Sequence, residues 1–319
     1  MKKIVSFILA TMLGIGLFGF SGCVSKEDDG KTHIVCTVFS VYDWVRETVG
    51  DTDDVEITLL LDSGADLHNY QPTVQDIAKI ATCDLFVYVG GESDGWVDDA
   101  LKNTKNPDLI AINFIEALGD DVLYEEETEE DASDDHDHDH DVPDEHIWLS
   151  LRNAKKLTLH IADQLAAIDA DRAQAYRDNA QAFAQKLDQL DAEYAAAVES
   201  AKFDTLVFGD RFPFLYLFND YNLKHYAAFS GCSAETEASF EMIVFLANKV
   251  DELNLPCIMT IEKQTHDIAQ TVRNNTKTKD QQIYVLNSLQ SVTAADVAAG
   301  ASYLQMMQDN LAVLKLALN

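Results

Sequence analysis

The 319-residue sequence is poor in basic residues and in residues that interrupt regular structure. It holds 23 Lys and Arg against 55 Asp and Glu, which gives a formal net charge of −32. A surface with so little positive charge excludes binding to a nucleic-acid backbone. With only five prolines and 14 glycines, and a hydrophobic fraction of 47%, the chain is not of the disordered class and can bury a sizeable core. Its length predicts about two domains.

The sequence also lacks the short motifs of zinc metalloproteases and of thiolate metal sites. His-Glu-x-x-His and Cys-x-x-Cys do not occur. Cys36, Cys83, Cys232 and Cys257 allow three disulfide pairings, and three of these cysteines lie in or beside apolar runs. We therefore expect buried thiols or one disulfide rather than a thiolate site. Because the metalloprotease motif does not occur, we also expect a protein that is not an enzyme.

The N-terminus indicates a lipoprotein export signal. Two lysines precede an apolar run from Ile4 to Phe20, and Ser21-Gly22-Cys23 follows. This order is typical of a signal peptide whose cysteine becomes the lipidated first residue of the mature protein. The run is short for a membrane-spanning helix, which needs about 20 residues. We expect a signal peptide over 1–22, a lipid on Cys23, a tether over 23–31 and an extracytoplasmic, membrane-anchored protein.

Beyond the tether, short apolar runs alternate with segments of helical periodicity. The runs typical of buried strands are Ile34–Phe39, Val55–Leu61, Leu85–Gly90, Leu109–Asn113, Thr205–Gly209, His225–Phe229, Cys257–Ile261 and Ile283–Leu286. Such alternation predicts parallel sheets covered by helices, the last helix running from Ala294 to Leu318. The predicted class is α/β, with an N-terminal lobe over 32–151 and a C-terminal lobe over 202–319.

Residues 152–201 separate the predicted lobes and have helical periodicity throughout. Leu157, Ile161 and Leu165 recur at helical spacing, and Asp169–Asp171 marks a break. The part after the break contains neither Gly nor Pro, and a helix of about 30 residues there would measure about 40 Å. We predict linker helices, the second of which is either a stiff connection between the lobes or a surface helix of one lobe.

Polar side chains follow several predicted strands, where open α/β sheets place their ligand sites. His68 lies in the Asp62–Pro72 loop after the second strand, and His146 lies between acidic residues and an apolar run. Asp210 follows the fifth strand, and Glu262 follows the seventh. Imidazole nitrogens with carboxylate oxygens suit zinc, and a more oxygen-rich set suits manganese. We therefore predict a metal site of four ligands, namely His68, His146, Asp210 and Glu262.

A loop of alternating His and Asp precedes His146. The stretch over 120–145 has 15 acidic residues and no basic one, and without it the net charge would be −17. This composition predicts disorder. His136, His138 and His140 alternate with carboxylates there, and imidazoles with a pKa near 6.5 are largely neutral at pH 7. We interpret the stretch as an auxiliary loop that collects metal ions.

Two motifs resemble those of the solute-binding lipoproteins of zinc and manganese ABC importers. Gly64–Pro72 resembles the first ligand loop of that family, Asp144–Ser150 resembles its second, and the His/acid insertion is similar to a loop of its zinc-specific members. The resemblance covers nearly all of the mature chain. It implies two α/β lobes joined by a rigid helix, with a metal ion in the cleft. It further implies a monomer that captures Zn2+, or alternatively Mn2+, and delivers it to the membrane subunits of an ABC permease.

The chain departs from the ligand pattern of that family at two positions. The third ligand position falls on Arg211, one residue after Asp210, and the fourth falls on Asn287 or Gln290. Glu262 is the first substitute for the missing carboxylate. The weaker substitutes are His225 and Glu237.

Two other functions stay open on the sequence. A secreted zinc hydrolase would also use a His and carboxylate site, since such a site with an open position activates water. A surface adhesin would hold the metal as a structural ion, and removal of the metal would then unfold it.

Overall fold

The computed structural model describes residues 29–125, 142–233, 237–262 and 265–319. The predicted signal peptide with Cys23, and the loop histidines His136, His138 and His140, lie outside the described residues. None of the helices in the described ranges combines the length and apolar character that crossing a membrane requires.

The N-terminal lobe is a four-stranded parallel sheet with helices between its strands. Its strands are β1 (Thr32–Cys36), β2 (Val55–Leu59), β3 (Leu85–Tyr88) and β4 (Ile110–Asn113), in the order β2-β1-β3-β4. Its helices are α1 (Phe39–Val49), α2 (Val74–Thr82), α3 (Val97–Leu101) and α4 (Phe114–Leu118). Ile34, Val35 and Cys36 are buried, as expected for a central strand of a parallel sheet that is covered on both faces.

Two long helices follow, α5 (Leu151–Ile168) and α6 (Ala173–Glu199), and they pack against each other. The buried side chains of α6 recur at helical spacing, among them Phe183, Leu187 and Tyr194. In the first half of α6, Asn179 Nδ2 donates to the Thr48 carbonyl of α1, and near the other end Tyr194 donates to the Met307 carbonyl at 2.6 Å. The helix therefore contacts both lobes, which supports the stiff connection among the two predicted alternatives.

The C-terminal lobe repeats the strand order of the first. Its strands are β5 (Thr205–Phe212), β6 (Lys224–Ser230), β7 (Cys257–Ile261) and β8 (Gln282–Leu286), in the order β6-β5-β7-β8 and all parallel. Its helices are α7 (Leu215–Asp220), α8 (Phe240–Leu253), α9 (Asp267–Asn275), α10 (Ala294–Ala298) and α11 (Tyr303–Ala317). The predicted α/β class with two lobes is confirmed.

The C-terminal helix differs from the prediction. The segment predicted as one helix from Ala294 to Leu318 is two helices, because Gly300 has a φ of +92° and Ser302 then caps α11. The Ser302 side chain accepts the Gln305 N–H, which satisfies one of the free donors at the start of the helix. The chain therefore turns between α10 and α11.

The cysteines of the described chain form no disulfide with one another. Burial at Cys36, Cys83 and Cys257 agrees with the expected buried thiols. Cys232 is only half-buried and thus stands apart from the other three.

One hydrophobic core joins the lobes and the linking helices. Trp44 and Phe86 of the N-terminal lobe belong to the same packed cluster as Phe208 and Phe218 of the C-terminal lobe. Helix α11 also begins against the first lobe, since the Tyr303 N–H donates to the buried Asp43 carboxylate at 2.7 Å. The two lobes are therefore connected by packed side chains and by this hydrogen bond as well as by the chain itself.

Candidate metal centre

His68 lies on a short 3₁₀ turn, Leu67–Asn69, in the loop after β2. Asp66 begins the turn, and its carboxylate accepts the His68 N–H at 3.1 Å. On the ring, His68 Nδ1 is 2.9 Å from Ser93 Oγ and 3.4 Å from Glu145 Oε2. Glu145 is buried and also accepts the Ser93 N–H at 2.8 Å. These contacts fix the ring and leave its Nε2 atom pointing away from the carboxylate.

Ser93 belongs to a Gly-x-Ser-x-Gly sequence over 91–95, the spacing found around the nucleophile of many hydrolases. A serine nucleophile needs its hydroxyl on one imidazole nitrogen and the supporting carboxylate on the other. Here the Ser93 hydroxyl and the Glu145 carboxylate both lie beside Nδ1 of His68. The arrangement therefore positions the ring and does not form a Ser-His-acid relay.

His146 precedes a second 3₁₀ turn, Ile147–Leu149, and has no exposed surface. The backbone N–H of His146 donates to Asp144 Oδ1 at 2.7 Å, and the ring Nδ1 atom is 3.1 Å from the same oxygen. Burial lowers the pKa of His146, but the carboxylates of Asp144, Glu145 and Glu125 together raise it by more, so the net pKa is above its ordinary value. Asp144 therefore orients the ring as well as polarising it.

The two rings face each other through their remaining nitrogens. His68 Nε2 lies 3.2 Å from His146 Nε2, although 78 residues separate them in sequence. In both rings Nδ1 lies beside a carboxylate, which favours the proton on Nδ1 and leaves a lone pair on Nε2. Two such lone pairs directed at one point form half of a tetrahedral cation site.

Cys232 is the third potential ligand beside the two histidines. It lies in the loop after β6, and its sulfur and one nitrogen of each of the two rings all lie within 4.8 Å of one another. Its N–H donates to Glu125 Oε1 at 2.8 Å. Burial, with smaller effects of Glu125 and Asp144, raises the pKa of the Cys232 thiol. Cys232 is not among the ligands predicted from the sequence, although it lies just past the end of a predicted strand.

Arg211 lies on β5 beside this group and connects the two lobes. Its guanidinium pairs with the carboxylate of Asp66 and donates to the Ser233 carbonyl at 3.1 Å. Burial raises the pKa of Asp66, but the Arg211 guanidinium and His68 together lower it by more, and the net pKa is below 3.8. Because arginine stays protonated and offers no acceptor, Arg211 holds the loops but cannot bind a cation.

Asp210 and Glu262, the two predicted carboxylate ligands, contact other groups in the described chain. Asp210 is buried, and its carboxylate accepts the Thr260 hydroxyl at 2.8 Å. The Glu262 carboxylate accepts the N–H of Ser288 at 2.7 Å and its hydroxyl at 2.5 Å. Burial raises the pKa of Glu262 despite these two bonds. Neither residue belongs to the ligand group of His68 and His146 among the described residues.

The weaker predicted substitutes also lie in other surroundings. His225 stacks on the ring of Phe212 with ring centroids 3.5 Å apart, and burial lowers its pKa to about 4. Glu237 is exposed. Asn287 lines a cleft of about 860 Å³ together with Glu262, other residues of the C-terminal lobe and Gly64 of the N-terminal lobe. The described structure thus brings together the two predicted histidines but not the predicted oxygen ligands.

Comparison with known proteins identifies the family of the chain. The family described as zinc-uptake complex component A, periplasmic (ZnuA) matches residues 34–317 of the chain. The zinc-binding lipoprotein AdcA of Streptococcus pneumoniae (strain ATCC BAA-255 / R6) is 35% identical over 319 residues, which are 99% of this chain and 61% of that protein. The chain thus spans about three fifths of that relative. The high-affinity zinc uptake system protein ZnuA of Bacillus subtilis (strain 168) is 29% identical, covering 97% of this chain and 95% of that protein.

Solved structures give the same result. The Zn(II)-bound ZnuA-like domain of Streptococcus pneumoniae AdcA has a TM-score of 0.71 and 31% identity, covering 91% of this chain and 99% of that domain. The laminin-binding protein Lmb of Streptococcus agalactiae has a TM-score of 0.73, with 90% of this chain and 100% of that chain covered, but its 23% identity shows a shared fold alone. The resemblance predicted from the sequence is confirmed, and the chain belongs to the ZnuA family, the solute-binding proteins of zinc ABC importers.

Proposed function

We propose that this protein captures Zn2+ between the imidazoles of His68 and His146 and releases it to a membrane permease. The observation that carries the proposal is the 3.2 Å separation of the two Nε2 atoms, each with a carboxylate at the other side of its ring. A cation that enters between these atoms gains two nitrogen ligands that are already oriented. The relatives support zinc as the cargo, since AdcA and ZnuA are named for zinc binding or uptake.

The carboxylates behind the rings strengthen the binding without contacting the ion. Asp144 and Glu145 lie beside the Nδ1 atoms and thereby fix the orientation of both rings, which leaves each Nε2 atom available to the ion. Both carboxylates are buried and keep the rings from turning. Capture therefore requires little reorganisation of the N-terminal lobe and no chemical step on the ion.

The sequence and the family also support a proposal for the cellular setting. We propose that residues 1–22 direct export, that a lipid on Cys23 anchors the protein outside the cytoplasm, and that a monomer delivers zinc to the membrane subunits of an ABC importer. The His136, His138 and His140 loop would raise the local concentration of zinc. The residues that flank this loop lie near the site, since the Glu125 N–H donates to the Val142 carbonyl at 3.1 Å and Glu125 also bonds Cys232.

Calorimetric titration with zinc tests the proposal. A structural zinc site binds with about 10 to 16 kcal/mol, so each of four ligands contributes roughly a hundredfold in affinity. We expect the variant with His68→Ala and His146→Ala to bind zinc about ten-thousandfold more weakly than the native chain. His160→Ala changes a histidine of α5 that is outside the ligand group, and this matched control should bind normally.

Two outcomes would contradict the proposal. One is a native chain that fails to bind zinc tightly, and the other is tight binding that survives loss of both histidines. Removal of zinc by a chelator separates an importer protein from an adhesin with a structural ion. We expect the zinc-free chain to stay folded and to rebind zinc, because its lobes share one apolar core.

A further inference from the structure

The Cys232 sulfur lies within 4.8 Å of a ring nitrogen of each of the two imidazoles. The histidines come from the N-terminal lobe, whereas Cys232 follows β6 in the C-terminal lobe. Strand β6 lies beside the central strand β5, just as β2 lies beside the central strand β1. His68 and Cys232 therefore extend from equivalent strands of two sheets with the same order, and they meet at one point.

The loop of Cys232 is built to approach His146 closely. Gly231 has no side chain, and a Cβ atom there would lie 3.2 Å from His146 Cε1 and 2.9 Å from the Phe212 carbonyl oxygen. Any larger residue would push the loop away from the imidazole. The glycine thus brings the next residue, Cys232, against the ring.

Contacts on both sides hold the thiol in this position. The Cys232 N–H donates to Glu125, and the carbonyl of Ser233 accepts from Arg211 at 3.1 Å. Arg211 in turn pairs with Asp66, two residues before His68. The loop that carries the sulfur and the loop that carries His68 are therefore joined by one guanidinium.

We propose that the thiolate of Cys232 is the third ligand of the captured ion, completing a His2Cys set with His68 and His146. This inference rests on the proposed function and deepens it, because it specifies the chemistry of the cargo. Two nitrogens and one sulfur suit zinc, whose sites are tetrahedral and mix N and S ligands. Manganese prefers oxygen ligands, so a thiolate at this position selects against it. On binding, the ion replaces the thiol proton, which passes to solvent.

X-ray absorption of the zinc-loaded native chain tests the ligand directly, without a substitution. We expect one sulfur neighbour at about 2.3 Å beside nitrogen or oxygen neighbours at about 2.0 to 2.1 Å. The protein is kept reduced with a phosphine, since an oxidised thiol cannot bind zinc. Zinc bound tightly with no sulfur neighbour would overturn the assignment of Cys232 and leave the proposed zinc capture intact.

Paired cysteine variants provide a second measurement. Cys232→Ser removes the thiolate with a minimal change in volume, and we expect zinc affinity to fall about a hundredfold. Manganese affinity should fall much less, so the ratio of zinc affinity to manganese affinity should decrease. Cobalt-loaded native protein should show a thiolate-to-cobalt charge-transfer absorption that Cys232→Ser lacks. Cys83→Ser alters a buried thiol of the N-terminal lobe and should retain both the absorption and the affinity.

The outcomes separate the two proposals. Undiminished zinc affinity in Cys232→Ser would overturn the thiolate ligand while the histidine site stands. Failure of the native chain to bind zinc at all would overturn both. If Cys232→Ser does not fold, the sulfur neighbour in the native absorption spectrum still decides the question.

Discussion

The two lobes have the same strand order but present different chemistry at equivalent strand ends. The N-terminal lobe supplies imidazoles whose outer nitrogens are held by Asp144 and Glu145. In the C-terminal lobe β5 is eight residues long and its register shifts between Phe208 and Arg211. Its carboxylates at Asp210 and Glu262 bond within their own lobe. A repeated fold thus does not imply a repeated ligand set, because the side chains at each edge are independent of the order of the strands.

The largest change that separates the two lobes is a loss of zinc affinity, and we expect it at the carboxylates of the N-terminal lobe. Asp144→Asn and Glu145→Gln remove the charge behind each imidazole but nearly preserve the shape. Substitutions of such partners typically lower metal affinity by about 10 to 100-fold. Zinc titration of each variant measures the effect, and the exposed Asp98→Asn of the same lobe is the control. Unchanged affinity in both variants would show that the rings need no carboxylate support.

The next largest effect is expected on the free energy of unfolding, at the ion pair between Arg211 and Asp66. Arg211→Met leaves the partly buried Asp66 without its partner, and we expect the free energy of unfolding to fall by about 2 kcal/mol, less than for a fully buried pair. Denaturant unfolding measures this free energy. The Arg211→Lys variant keeps the positive charge and should lose less stability. Because the pKa of Asp66 lies below 3.8, the pair stabilises above that pH and is lost as the pH falls through the lowered pKa. A difference between variant and native chain that persists in acid would contradict this account.

Substitution of Asp94 should change the free energy of unfolding by a smaller amount, and it should stabilise the protein rather than destabilise it. Burial raises its pKa to about 7, while its carboxylate accepts the Gly90 N–H at 2.9 Å. The folded chain binds this proton more tightly than the unfolded chain, so stability declines as the pH rises from about 4 to 7. Asp94→Asn keeps an acceptor for Gly90 and should stabilise the protein by about 1 kcal/mol at pH 8, since burial of the amide also has a cost. Thermal unfolding of the variant and the native chain at pH 5 and pH 8 measures this difference in stability. An equal difference at both pH values would be evidence against a raised pKa of Asp94.

The smallest effect on zinc affinity is expected at the carboxylates of the C-terminal lobe. Asp210→Asn and Glu262→Gln should change it by less than about threefold, since these groups bond to Thr260 and Ser288 rather than to the imidazoles. Parallel zinc titrations of both variants and of His68→Ala measure the difference. A loss of affinity comparable to that of the histidine variant would restore the ligand set predicted from the sequence and remove the contrast between the lobes.

Most of the fold follows from local sequence pattern. Apolar runs and helical periodicity predict the eight strands of the described residues, and they predict the long helices of the linker, because burial in a parallel sheet or helix pair requires those patterns. The break at Gly300 is harder to predict, since a single glycine within a helical pattern is often tolerated.

The site is less predictable because it depends on contacts between distant segments. The motifs around His68 and His146 identify two ligand candidates, and the structure places them together. The directions of the Asp210 and Arg211 side chains on β5 could not be predicted in the same way. The register shift of β5 and the pairing of Arg211 with Asp66 arise only from tertiary packing. Cys232 resembles the buried cysteines in sequence because no spacing motif distinguishes it. Its proximity to His146 depends on a loop in the opposite lobe.

An anomalous-scattering map of zinc-loaded crystals would show whether one ion binds between the two imidazoles. We expect one strong peak at about 2.0 to 2.1 Å from both His68 Nε2 and His146 Nε2. A peak at the surface group of Asp29, His33 and Glu56, or in the cleft beside Glu262, with none between the two imidazoles, would contradict it.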